Sequence, residues 1–193
     1  MKISGKFILK VAGTLTVISL VVAALLGVVN MVTKDQIAAI NAEKTAQALS
    51  AVALEGAEFT PVELSDAVVA AAAPYGTVTG VYTMSTGGYA VEIVTSGSQG
   101  SISMIVGVDN ENKLTGVSVV NHSETGGIGT KVINNDPATG SAMGVLDQFV
   151  GMSGSGSLVV GKTISPISGA TVTTKGITAG ANGALAVAEV LAG

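Results

Sequence analysis

The chain has 193 residues, a formal net charge of -4 and only 11% charged residues, so it lacks the basic stripe that binding a phosphate backbone needs and is expected to bind no nucleic acid. It has no cysteine, which removes disulfides, thiolate metal sites and cysteine nucleophiles together. His122 is its one histidine, so no metal site is expected either, and any redox or transfer chemistry is borrowed from a cofactor.

Between Lys10 and Lys34 runs the uncharged stretch VAGTLTVISLVVAALLGVVNMVT. As a helix it spans roughly 35 Å, enough to cross the ~30 Å hydrocarbon core of a bilayer with some tilt. Residues 11–33 are therefore read as a transmembrane helix in contact with lipid. A cleaved signal peptide is the rival reading, but the apolar run is longer than the usual h-region and continues without an evident cleavage site. Lys2, Lys6 and Lys10 precede the span with no acidic residue among them. The positive-inside rule then makes residues 1–10 cytoplasmic and places the rest outside the cytoplasm, tethered to the cell membrane by a single pass.

Residues 34–54 read as a helical stalk with a thin apolar stripe of Ile37, Ile40, Leu49 and Val52. In the connecting segment up to residue 74, Pro61 and Pro74 bound an alanine-rich turn or two of helix. From Gly76 the period becomes two: GTVTGVYTM, GYAVEIVTS, GSISMIVGVD and KLTGVSVVN are separated by turn signals and predict a four-stranded antiparallel meander. Next come the glycine-rich loop HSETGGIGTKVINNDPATG and a short amphipathic helix containing Met143, Leu146, Phe149 and Val150. GMSGSGS reads as a flexible loop, SLVVGK as a strand, and Val172 to Leu191 as a closing helix with Ile177, Ala181, Ala184, Ala188 and Leu191 on one face. The expected class is α+β, with one domain over residues 75–193.

Two clusters carry chemistry. Ser168, Gly169, Ala170 and Thr171 stand where a strand exit becomes a helix entrance, a junction with unpaired N–H groups and a positive dipole end that suits an anion. Gly169 would let the backbone approach a phosphate, and the hydroxyls of Ser168, Thr171, Thr173 and Thr174 could donate to it. The plainer reading, which the residues alone favour, is that Ser168 or Thr171 caps the helix. The second cluster, NHSETGGIGTK, puts His122, Glu124 and Thr125 beside Gly126, Gly127 and Gly129. By itself it is a weak pattern: glycines this dense make a tight turn, and Glu124 is most simply solvated. A hydrolase triad can be imagined here, but no nucleophile-elbow sequence supports it.

Together, in this order and after an N-terminal anchor, the clusters resemble the FMN-binding domain family, which includes the G subunit of the Rnf electron-transport complex and the C subunit of the sodium-pumping NADH:quinone oxidoreductase. The resemblance covers nearly the whole chain. It implies covalent FMN on Thr171 through a phosphoester, installed by a flavin transferase, with His122, Glu124, Thr125, Gly127 and Gly129 near the flavin. Gly126 stands where the family usually has proline, and Ser165 where the transferase's recognition pattern usually has aspartate. The function implied is that of an electron relay within a multi-subunit ion-translocating ferredoxin:NAD oxidoreductase, rather than a complete enzyme. The alternatives are a quinone-reductase C subunit, a stand-alone flavinylated carrier, and a non-redox anchored binding module.

Overall fold

The computed structural model describes residues 5–53 and 56–193, so Lys2 of the orientation argument and Leu54 and Glu55 at the end of the expected stalk lie outside it. The chain divides into two units, Met1–Glu43 and Lys44–Gly193. Helix α1 (Gly5–Val52) fills the first and ends in the second, so the expected span and stalk are one continuous helix. Its apolar stretch is long enough to cross a membrane, and none of that stretch is buried in protein. The hydroxyls of Thr14, Thr16 and Thr33 donate to the carbonyls of Lys10, Ala12 and Val29 at 2.9, 2.9 and 2.8 Å. The polar atoms of these side chains are thereby satisfied within the helix, as a hydrocarbon environment requires.

The second unit is built on an antiparallel sheet of five strands in sequential order: β1 (Phe59–Val62), β2 (Thr77–Met84), β3 (Tyr89–Ser96), β4 (Ser101–Val108) and β5 (Leu114–His122). The last four are the expected meander. Strand β1 is the addition: Pro61 argues against a central strand, but β1 lies at the sheet edge, where a missing N–H is tolerated. The alanine-rich segment forms α2 (Asp66–Ala72), capped by Ser65, whose Oγ accepts from the N–H of Val68 at 3.4 Å.

Helix α4 (Thr171–Ala192) lies across the sheet. Ile177, Ala181, Ala184, Leu185 and Ala188 pack with Ile93, Ile102, Met104 and Val106 in the main core. Close approach depends on small residues: a Cβ at Gly176, Gly180 or Gly183 would lie 2.6 Å from the Ser96 carbonyl oxygen, the Met104 sulfur or the Ile93 Cδ1 respectively. On the other face, Ala90, Ile105 and Val120 pack with Ala48, Leu49 and Val52 at the end of α1. The Thr115 hydroxyl donates to the Val52 carbonyl at 2.7 Å, taking up one of the acceptors a helix end leaves open.

Three sequence-based expectations need correction. No helix covers Met143 to Val150; only Asp147–Phe149 forms a 3₁₀ turn. The Asn135 carboxamide oxygen accepts from the N–H groups of Leu146 and Asp147 at 2.7 and 3.3 Å, diverting two donors from a helical ladder. Phe149 is fully buried, whereas Met143 and Val150 are exposed. SLVVGK is likewise not a strand and contributes only a single bridge from Val160 to Ile164. Its pairing groups are committed elsewhere: the Asn182 carboxamide holds both the N–H and the C=O of Leu158, and the Thr163 hydroxyl accepts from the N–H of Val159. The GMSGSGS segment is also tied down, to Leu114 through Gly151 and Met152, to Glu189 through Ser155 and to Asn182 through Gly156.

Candidate functional site

Thr171 opens α4, and its side chain is exposed. The N-cap position is Ala170 and no side chain caps the helix, so the expectation that Ser168 or Thr171 serves as the cap is not met. The N–H groups of Thr171, Val172 and Thr173 have no acceptor within the helix and form the dipole's positive end. Gly169 has φ +83°, a left-handed conformation that glycine adopts without the strain a side chain would bring. The approach to Thr171 is held from the side. The Gln148 carboxamide accepts from the Ser165 N–H at 2.8 Å and donates to its carbonyl at 3.0 Å, and the Thr139 hydroxyl accepts from the Ser168 N–H at 2.7 Å.

The other threonines of this turn face inward. Thr174 is buried and its hydroxyl donates to the Ala170 carbonyl at 3.0 Å, while Thr173, also buried, donates to Glu124 Oε2. Glu124 is itself only 8% exposed, so it is not the solvated residue its loop position suggests. Its Oε1 accepts from the N–H groups of Ser98 and Gln99 at 2.7 and 3.2 Å. Burial by itself would raise its pKa. The hydrogen bond from Thr173, the backbone N–H groups of Gln99 and Ser98, and the nearby His122 outweigh this and hold it below the usual carboxylate value.

Between the clusters lies a cleft of about 20 Å³ lined by Ser98, Glu124, Thr125, Ile128, Gly129, Gly169, Ala170, Val172 and Thr173. The fold thus joins six of the expected site residues, Glu124, Thr125, Gly129, Gly169, Ala170 and Thr173. Thr171 and Ser168 stand beside them in the chain. His122 and Gly127 shape the loop from behind: His122 Nδ1 accepts from the Glu124 N–H at 3.2 Å, and Gly127 N–H donates to the Thr130 hydroxyl at 2.8 Å. Since both Glu124 oxygens are taken by Ser98, Gln99 and Thr173, the carboxylate does not orient the His122 ring, and the imagined triad is not assembled. Gly126 has nothing within 4 Å of where a side chain would begin.

Sequence reasoning did not find Ser98, Gln99, Ile128 or Val172. The first two supply backbone donors, which any residue type can provide. Ile128 and Val172 are about half exposed, and their exposure on the rim of a cleft is their only signal.

Comparison with known proteins accords with this geometry. Residues 97–186 match the FMN-binding domain family, and residues 1–52 match the RnfG N-terminal region. The G subunit of the Na(+)-translocating ferredoxin:NAD(+) oxidoreductase complex of Acetobacterium woodii is 30% identical over 215 residues, covering 98% of this chain and 96% of that protein. The chain belongs to the RnfG family. A second member, the G subunit of the ion-translocating oxidoreductase complex of Methanosarcina acetivorans, is 33% identical over 132 residues, covering 66% of this chain and 69% of its own. As an RnfG protein with one N-terminal apolar helix, the chain is membrane-anchored with a single pass, and its second unit contains an FMN-binding domain.

The residues present fit FMN. An uncapped helix N-terminus beside Gly169 and Ala170 has room for a phosphate, and Ile128 and Val172, exposed on the rim of a cleft too small for a three-ring isoalloxazine, would offer it apolar contact.

Proposed function

We propose that this chain is the membrane-anchored electron-transfer subunit of an Rnf-type ion-translocating ferredoxin:NAD oxidoreductase complex, and that its FMN is joined covalently to Thr171 through a phosphoester. One observation carries the attachment: of the three threonines in the first turn of α4, Thr171 alone is exposed, at an uncapped helix N-terminus. A phosphodiester there is favoured by the helix dipole by about 0.3–1 kcal/mol. When bound, FMN supplies the capacity to take up and release electrons.

The protein's own residues do the rest. The N–H groups of the first turn face the phosphate, Gly169 and Ala170 keep side chains out of its way, and Ile128 and Val172 offer apolar contact to a flat ring. A covalent link makes occupancy independent of the free FMN concentration, whereas a reversible carrier empties as that concentration falls. Residues 11–33 serve as the anchor, 34–74 as stalk and connection, and 75–193 as the FMN-binding domain. Lys6 and Lys10, with Lys2, hold the N-terminus in the cytoplasm and so direct the FMN-binding domain outward. The partners are the other subunits of the complex and, during maturation, a flavin transferase.

The test is in-gel flavin fluorescence of the denatured chain after coexpression with a transferase. The wild type fluoresces and Thr171→Ala is dark. A dark wild type beside a loaded control protein would count against flavinylation and favour a non-redox binding module; fluorescence surviving in Thr171→Ala would move the attachment elsewhere.

A further inference from the structure

The carboxylate of Glu124 is the least expected group in this protein. It is buried where three segments meet: the loop after β5, the turn between β3 and β4, and the first turn of α4. Gly97 and Gly129 are shaped around it. A Cβ at Gly97 would strike Oε1, and one at Gly129 would lie 2.5 Å from Oε2. Among the described residues no lysine pairs with it: Lys131 on α3 (Gly129–Ile133) and Lys175 on α4 are both exposed. Ser98, Gln99 and Thr173 carry no charge, so His122 is the titratable neighbour that acts on it.

A buried charge without an ion-pair partner is costly, and apart from the nearby His122 it is compensated here by hydrogen bonds to neutral donors. A glutamine could accept the same two backbone N–H bonds and meet the Thr173 hydroxyl with its other end. Tying the loops together therefore does not by itself require a charge.

Glu124 shares its cleft with Gly169, Ala170 and Val172, the residues flanking Thr171. We infer that Glu124 is a positioning residue whose fixed negative charge, held by Thr173 two residues beyond the flavin attachment point, lowers the reduction potential of the bound FMN. This rests on the reading that FMN is carried on Thr171. An anion beside a group that gains electrons opposes the gain, and the low-dielectric surroundings strengthen the effect. The linkage is reciprocal: protonating Glu124 raises the flavin potential, and reducing the flavin favours a proton on Glu124.

The experiment is a spectroelectrochemical titration of the full chain in detergent, with an electrode supplying the electrons and flavin absorbance read from about pH 8 down to about pH 3, a range that passes below the ordinary glutamate pKa. Loading of every variant is first checked by in-gel fluorescence. A dark wild type, or a fluorescent Thr171→Ala, defeats the attachment reading on which this inference stands. With loading intact, Glu124→Gln shifts the potential to more positive values near neutral pH, and the gap to the wild type closes as the pH falls. Thr173→Val keeps the carboxylate but removes a donor to it, so its potential approaches that of Glu124→Gln at a higher pH than the wild type does. Equal potentials in loaded wild type and Glu124→Gln near neutral pH would overturn the inference. So would a Thr173→Val profile superimposed on that of the wild type, which also covers the case in which Glu124→Gln does not fold.

Discussion

Replacing Asn182 with alanine tests whether the segment leading to the proposed flavin site is held in place by α4. Asn182 is 5% exposed, and its carboxamide oxygen accepts from Gly156 and Leu158 at 2.9 and 3.3 Å while its nitrogen donates to the Leu158 carbonyl at 2.9 Å. In Asn182→Ala the Gly156 N–H turns to water, because Gly156 is exposed, but Leu158 is buried and loses partners for both its backbone groups. Each orphaned group costs about 1–3 kcal/mol, and the better helix propensity of alanine returns about 0.6 kcal/mol, so the net loss is about 3 kcal/mol. For a unit of this size that corresponds to a fall in Tm of about 6–12 °C. The assay is the tyrosine near-UV circular dichroism melt of the full chain in detergent. All three tyrosines, Tyr75, Tyr82 and Tyr89, lie in the second unit, so α1 does not contribute to the signal. A fall below about 2 °C would refute the reasoning, because it would mean that water satisfies Leu158 or that the segment gains nothing from Asn182.

Two further predictions follow from the site and the anchor. The folded-state pKa of Glu124 lies below its unfolded value of about 4.3, so its contribution to stability is fully present above that value and is lost as the pH falls through the folded one. Melts of the unloaded protein taken downward from about pH 5 should show the wild type losing stability more steeply than Glu124→Gln; parallel curves would mean that the hydrogen bonds to Glu124 contribute nothing dependent on its charge. Because the chain has no cysteine, Thr86→Cys in the exposed β2–β3 turn gives a single reporter. A membrane-impermeant thiol reagent should label it in intact cells if the domain faces outward, and only after lysis if it faces the cytoplasm.

Much of the fold is legible in the residues because its determinants are local. Alternation along Tyr89–Ser96 and its neighbours predicts the meander, and the 3.6-residue spacing from Ile177 to Leu191 predicts α4. Where a side chain from elsewhere takes over backbone donors, local pattern fails. Phe149 and its apolar neighbours have helical spacing, but Asn135, which has φ +60°, removes the N–H groups a helix would need. Leu158, Val159 and Val160 have strand character, but Asn182 and Thr163 hold the groups a ladder would use. Strand β1 is obscured by Pro61, which signals a break in a chain read alone and is harmless on an edge.

The site divides along the same line. Gly169, Ala170 and Thr171 are recognisable because a left-handed glycine, a small residue and a hydroxyl at a helix start are adjacent in sequence. Glu124 is not, since its partners stand 26, 25 and 49 residues away at Ser98, Gln99 and Thr173. A carboxylate in a glycine-rich loop is solvated unless something distant encloses it, and only the folded chain brings the β3–β4 turn and α4 to that loop. The same convergence leaves Thr171 exposed, while Thr173, bonded to Glu124, and Thr174, bonded to the Ala170 carbonyl, have their hydroxyls turned inward. Enclosing Glu124 and exposing Thr171 are therefore two results of one docking of α4. If FMN is carried on Thr171 as proposed, a substitution that loosens that docking should let Thr173 or Thr174 compete as acceptor as well as lower stability.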